Sequence, residues 1–151
     1  MIWEEFKKVS PVMAALGAER FNRTGLVIIA TIRKDGWPRI SPVEPLIADG
    51  HLYLGMMWQS RKAQDLLRNP RCTVNTIVWN RDGSDGDFKI YGSAVEIQDL
   101  KMRQKYSESL EKKIGLRPKA PEYHLFSIDI DSAAFSIIQE GEWIHTVWKK
   151  P

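Results

Sequence analysis

A chain of 151 residues has the length of one compact domain and leaves no room for two well-stabilised cores. Apolar residues make up 43% of it and charged residues 27%, which excludes intrinsic disorder and predicts a soluble globular domain. The 22 basic residues exceed the 19 acidic ones by three and are scattered, so no nucleic-acid partner is expected.

The opening Met1-Ile2-Trp3-Glu4-Glu5 is acidic and has no apolar leader region, and the longest apolar runs fall short of the roughly 18 residues of a membrane span. No targeting signal and no membrane partner are expected. The first clear unit is 10–17, a short helix with Ser10 as N-cap and Pro11 at the first helical position. Residues 25–32 are β-branched and apolar on both faces, the pattern of a buried strand. Asp35-Gly36 predicts a hairpin turn into a strand over 37–44, and Asp49-Gly50 another into 51–57, so three strands should meander without a helix.

Ser60 opens a helical stretch in which Ala63, Leu66 and Leu67 share a face, closed by Asn69-Pro70. The sole cysteine, Cys72, rules out an intrachain disulfide and fits a reducing cytoplasm. It opens an apolar strand over 72–79 and reads as a small buried hydrophobe rather than a nucleophile. The Gly- and Asp-rich segment 82–86 is a turn leading to a fifth strand, 88–97. A charged amphipathic helix spans 99–114 and is broken by Gly115, Pro118 and Pro121. A late, bent strand region follows over 123–138, then Glu140-Gly141 turns into a last strand, 143–148. About six strands joined mostly by short turns, with few βαβ units, predict a mostly β fold: an antiparallel barrel with peripheral helices.

Two places carry chemistry. Ser60-Arg61-Lys62 sets two cations at a helix N-terminus whose dipole is already positive, an arrangement that costs about 0.3–1 kcal/mol per contact unless an anion is bound. Either a phosphate is the missing partner or both side chains point into solvent. On the second strand the two-residue period puts Arg39 and Ser41 on one face, while Pro38 and Pro42 remove backbone donors. That strand either offers free backbone groups to a ligand or is an edge guarded by prolines.

The order of these segments resembles the pyridoxamine 5′-phosphate oxidase-like family of FMN-binding split barrels, over nearly the whole chain. The carrying residues are Ala30-Thr31 before Asp35-Gly36-Trp37-Pro38, then Arg39-Ile40-Ser41-Pro42-Val43, Leu54-Gly55-Met56-Met57, Ser60-Arg61-Lys62 with residues 66–70, and Tyr91-Gly92. The resemblance implies a six-stranded split barrel and FMN as cofactor. It implies that Arg39, Ile40, Ser41, Pro42, Gly55 and Met56 line the isoalloxazine, and that Ser60, Arg61 and Lys62 bind the phosphate. It also implies a homodimer with cofactor sites across the interface, where Trp143 or Trp148 reaches the partner's flavin. Packing or a dimer contact is the other reading of those two, since the chain holds six tryptophans.

The chain departs from the authentic pyridoxamine 5′-phosphate oxidases. Glu44 stands where those enzymes are expected to carry a lysine for the substrate phosphate, and the arginine- and histidine-rich C-terminal signature is reduced to His145. Vitamin B6 oxidation is therefore not expected. His51, His124 and His145 lack metal-ligand spacing, and no metal site is predicted. The expected function is FMN-dependent hydride or electron transfer with a small organic substrate. The alternatives are a deazaflavin-dependent reductase, favoured by further cations at the cleft mouth, and a flavin or haem carrier without turnover.

Overall fold

Helix α1 (Trp3–Val9) buries Trp3 and Phe6, and helix α2 (Pro11–Thr24) buries Met13, Ala14 and Phe21 against the same core. Pro11 sits at the first position of α2, where its missing N–H leaves no helical bond unmade. The computed structural model describes residues 1–118 and 122–151. The N-terminal helices differ from the sequence reading in two details. Helix α1 was not foreseen, and α2 runs past Gly17 to Thr24, so that Gly25 is its left-handed C-cap (φ 67°) rather than the first residue of a strand.

The strands are β1 (Val27–Ile32), β2 (Pro38–Val43), β3 (Pro45–Ala48), β4 (His51–Met57), β5 (Arg71–Thr76), β6 (Asp87–Glu96), β7 (Tyr123–Gln139) and β8 (Glu142–Lys149). Helix α3 (Arg61–Arg68) joins β4 to β5, and α4 (Leu100–Ile114) joins β6 to β7. All pairings are antiparallel in one sheet ordered β2-β1-β5-β6-β7-β4-β3, with β8 also on β7. This is a split barrel whose sheet does not close. The split lies on β7: one edge pairs with β6, and the other is shared between β4 over Tyr123–Ser127 and β8 over Ser132–Gln139.

The described residues hold eight strands where about six were expected: one for each of the seven segments read as strands, and one more. The unforeseen β3 is four residues long and starts on Pro45, a position a strand tolerates because the first N–H need not pair. The expected three-strand meander is broken at Glu44. Strands β2 and β3 adjoin in sequence but lie at opposite ends of the sheet, and the prolines at 38, 42 and 45 all sit on those two edge strands. Pro121, read as a helix breaker, lies outside the described residues; Gly115 caps α4 with φ 73°.

The core has two parts. Val27, Ile29, Leu52, Leu54, Val74, Phe88, Ile90, Phe126 and Ile128 pack against α1, α2 and α3, with Ala63 and Leu66 from α3. Leu67, expected on that same face, is 44% exposed, because the turn carries it past the sheet. Leu46, Tyr53, Tyr106, Leu110, Tyr123 and Leu125 form a smaller cluster beneath α4. Strand β4 serves both by alternation, and Gly55 faces the smaller cluster because a Cβ there would collide with the Tyr106 hydroxyl.

Cys72 is buried in β5, where desolvation and then the Asp131 charge push its thiol up to about 12. Folded protein at pH 8 is expected to resist a chromogenic disulfide reagent and to react fully once denatured. Rapid reaction of the native protein would contradict this placement. No described helix is long and apolar enough to cross a membrane.

Candidate functional site

The chain leaves β4 through Met57, Trp58 and Gln59, the last in a left-handed conformation (φ 57°), and Ser60 enters α3 as an extended N-cap. The Ser60 side chain caps nothing: its Oγ is buried and has no hydrogen-bond partner. A serine at this position ordinarily accepts from an N–H in the first turn, so its hydroxyl and the free N–H groups of the turn are all unassigned. Arg61 is exposed beside them. Lys62 is half-buried and donates from Nζ to the Pro42 carbonyl at 3.2 Å, and burial holds its pKa below the ordinary value.

One turn further on, Asp65 fastens α3 to the sheet. Its carboxylate is 4% exposed and accepts from Thr31 Oγ1 (2.9 Å), Arg39 Nε (2.7 Å) and Arg68 Nη2 (3.1 Å). Burial alone would raise its pKa, but the hydrogen bonds from Arg39, Thr31 and Arg68, with the Arg39 charge, outweigh it and hold the group below the usual carboxylate range. A depressed folded-state pKa contributes stability above the unfolded value of about 3.9, and that stability is lost as pH falls through the folded value. Asp65→Asn is therefore expected to cost about 2–3 kcal/mol at pH 7, somewhat under a fully buried pair because Arg39 and Arg68 keep some water. The gap from wild type should narrow below about pH 4. Urea unfolding at pH 7 and pH 3 measures both, and a pH-independent gap would contradict the network.

Around this network lies a cleft of about 580 Å³ lined by Arg33, Lys34, Arg39, Arg61 and Arg68 against only Asp35 and Asp65, with Gln64 between. Arg33 is paired with Asp35 at 2.7 Å. Five cations against two carboxylates leave the cleft with an excess of positive charge, which favours an anion.

The structure sorts the residues singled out by sequence. It brings Arg39 and Arg61 to the cleft, with Lys62 bridging to β2. On β2, Arg39 and Ser41 turn inward and half-buried, while Ile40 (73% exposed) and Pro42 turn outward, so what the four share is the free edge of β2. Met56 is in the core, and Gly55 faces α4. Trp148 packs its ring on Phe6 at 4.9 Å, away from the cleft residues, whereas Trp143 is 68% exposed. Glu44 is exposed at the β2–β3 step. The histidines are dispersed: His51 bonds Ser127, His124 bonds Glu96 beneath a stacked Trp58, and His145 bonds Ser136.

Sequence reasoning missed Asp65, Arg68 and Arg33. Asp65 sits four residues after Arg61 and three before Arg68, one helix face carrying two cations and a carboxylate. That was the available signal, but the partner Arg39 arrives only through the fold.

A family model described as pyridoxamine 5′-phosphate oxidase matches residues 16–136. No curated protein matches the chain. Among solved structures it is similar to a protein of Clostridium acetobutylicum related to general stress protein 26 (16% identity, 91% of this chain and 95% of that one, TM-score 0.67). It is also similar to general stress protein 26 of Bacillus anthracis (23% identity, 85% and 97%, TM-score 0.58). The haem storage protein HutZ of Vibrio cholerae is a third (14% identity, 76% and 87%, TM-score 0.61). At these identities the likeness is one of fold.

Proposed function

Since the chain belongs to the pyridoxamine 5′-phosphate oxidase-like family without being an authentic oxidase of that name, we propose that it binds FMN and serves as a flavin-dependent oxidoreductase. The observation that carries this reading is the unpartnered, buried Ser60 hydroxyl at the N-terminus of α3, next to Arg61 and Lys62. A phosphate accepts from all three and from the first-turn N–H groups, which reverses the sign of an otherwise unfavourable cluster. Bound there, the flavin would supply hydride or electron transfer.

The chain's own residues bind and orient. Arg39 is held by Asp65 through Nε, which leaves its other N–H groups for a ligand edge. Ser41 and the backbone edge of β2 offer hydrogen bonds, Ile40 and Pro42 an apolar margin, and Gly55 and Met56 the end of β4 that leads into the phosphate site. No side chain stands out as a general base. Members of this family commonly dimerise. The proposed assembly is a homodimer that covers the exposed Trp37, Ile40 and Tyr91 and builds its cofactor sites across the interface. There Trp143, and Trp148 after local rearrangement, would approach the partner's flavin. The buried thiol of Cys72 suits a reducing cytoplasm.

A second reading rests on the additional cations. Arg33, Lys34 and Arg68 extend the positive cleft beyond Arg61, as the acidic tail of a deazaflavin coenzyme requires. The test is an absorbance spectrum of freshly purified protein, followed by titration of the stripped protein with FMN, deazaflavin coenzyme and haem. Saturable, tightest binding of FMN supports the first reading. Tighter deazaflavin binding replaces it with the second, tighter haem binding replaces both, and no binding of any of them overturns the cofactor assignment.

A further inference from the structure

Only Trp58 and Gln59 separate Met57, the last residue of β4, from Ser60, the N-cap of α3, so their conformation sets where Ser60 and the first turn of α3 point. Gln59 is left-handed, with φ 57°, a conformation that strains a residue with a Cβ and persists only where its surroundings hold it. Two hydrogen bonds close the turn locally: the Ser60 N–H donates to the Met57 carbonyl at 3.1 Å, and Gln64 Nε2 donates to Gln59 Oε1 at 2.5 Å. The second is exposed, and water competes for both of its partners.

The firmer restraint is Trp58. Its indole lies flat on the His124 imidazole, with centroids 4.5 Å apart and planes 11° from parallel. His124 stands opposite Met56 in the β4–β7 ladder, so the indole folds back over the end of the strand that the chain has just left. The imidazole is fixed in its turn: it is 3% exposed, it stacks against Phe126, and its Nδ1 bonds Glu96 Oε1 at 3.1 Å. A carboxylate accepts, so the neutral ring carries its proton on Nδ1, and Nε2, buried without a partner, is left as a bare acceptor. The ring therefore reaches the turn through its stacked face and not through a hydrogen bond.

We infer that Trp58 is a positioning residue of the phosphate site: stacked on His124, it holds Gln59 left-handed and so keeps Ser60 Oγ and the first-turn N–H groups of α3 converged on one anion. The inference rests on the flavin reading above and names the residue that presets its site before the ligand arrives. Arg61 and Lys62 carry their charges on long, flexible stems, whereas the N–H groups and the short Ser60 side chain move only with the backbone. Loss of the stack therefore removes the contacts that depend on the turn and leaves those of the two cations. Because the indole is 54% exposed, it can be replaced without opening the core.

The experiment compares FMN with riboflavin, which lacks the phosphate, by fluorescence titration of stripped wild type, Trp58→Leu and Trp58→Phe. Trp58→Leu is expected to bind FMN about three- to tenfold more weakly, the worth of one aromatic contact, and to bind riboflavin as wild type does. Trp58→Phe keeps a stacking face and should bind FMN within about twofold of wild type. A merely structural role would weaken both ligands together. In parallel, inorganic phosphate is titrated into the ligand-free protein and followed at the amides of Ser60, Arg61 and Lys62 in a ¹H–¹⁵N spectrum. Those shifts should saturate in wild type and need a higher phosphate concentration, by the same factor, in Trp58→Leu. Phosphate shifts that behave so in a protein that binds no flavin would uphold the role of Trp58 and remove the flavin reading. Unchanged FMN affinity in Trp58→Leu, an equal loss for riboflavin, or a Trp58→Phe variant as weak as Trp58→Leu would each overturn the inference and leave the flavin reading standing. Binding of neither FMN nor phosphate to wild type would overturn both.

Discussion

Replacing Arg61 and Lys62 together with alanine is expected to weaken FMN binding by about a hundredfold to about ten-thousandfold. Two charge-assisted hydrogen bonds at about 1.5–3 kcal/mol each are lost, and each 1.4 kcal/mol is a factor of ten. The fold should survive, because Arg61 is exposed and Lys62 makes a single bond, to the Pro42 carbonyl, while Asp65 still ties α3 to β1 and β2. Removing two like charges from the α3 N-terminus should even raise the melting temperature of the apoprotein slightly. Fluorescence titration of stripped protein measures the affinity, and circular dichroism the fold. Unchanged affinity in a folded variant would remove the phosphate-site assignment and leave Arg33, Lys34 and Arg68 as the remaining anion site.

The largest expected effect on stability is at Gly92. It sits at the register shift between β6 and β7, where a Cβ would overlap the Asp129 carbonyl oxygen and press on Ile130, both backbone. A side chain elsewhere gives way by rotating, but here two paired strands must separate at the centre of the sheet. Gly92→Ala is therefore expected to cost at least about 3 kcal/mol, or about 6–12 °C in Tm for a chain of this size. Gly115→Ala provides the contrast, since its left-handed backbone is unfavourable for alanine but no atom lies within 4 Å of the added methyl. A Gly92→Ala variant melting near wild type would mean that the bulge is plastic.

Much of the architecture was readable from local chemistry. Ser60 before a helical run, Asn69-Pro70 after it and Asp99 ahead of α4 each marked a helix end that the structure places within a residue or two. Asp99 does accept from the Met102 N–H, whereas Ser60 does not act as a cap, and that failure of a local rule is what points to a ligand. Helix α1 begins after Ile2, which has no capping side chain of the usual kind; Glu4 and Glu5 in its first turn and Lys7 and Lys8 in its last were the signals available, and they were passed over. The break between β2 and β3 could not be read locally, because Pro42 and Pro45 mark edge strands without saying which edges. The Arg39–Asp65 contact joins residues 26 apart in sequence and depends on how α3 crosses the sheet. Pattern gave the anion-seeking residues of the helix; only packing shows what holds them in place.

Strand β7 has a consequence for synthesis. It supplies partners to β4, β6 and β8, and until Tyr123 has been made, the hydrogen-bonding edge of β4 that β7 will cover stays bare. A ribosome adding about 5–20 residues per second takes several seconds to travel from Met57 to Tyr123. Throughout that interval the nascent chain presents a strand rich in Leu, Tyr and Met with one bare edge, a template for other chains. Stalled or truncated products ending before β7 should accumulate as chaperone clients or aggregates rather than as smaller folded domains.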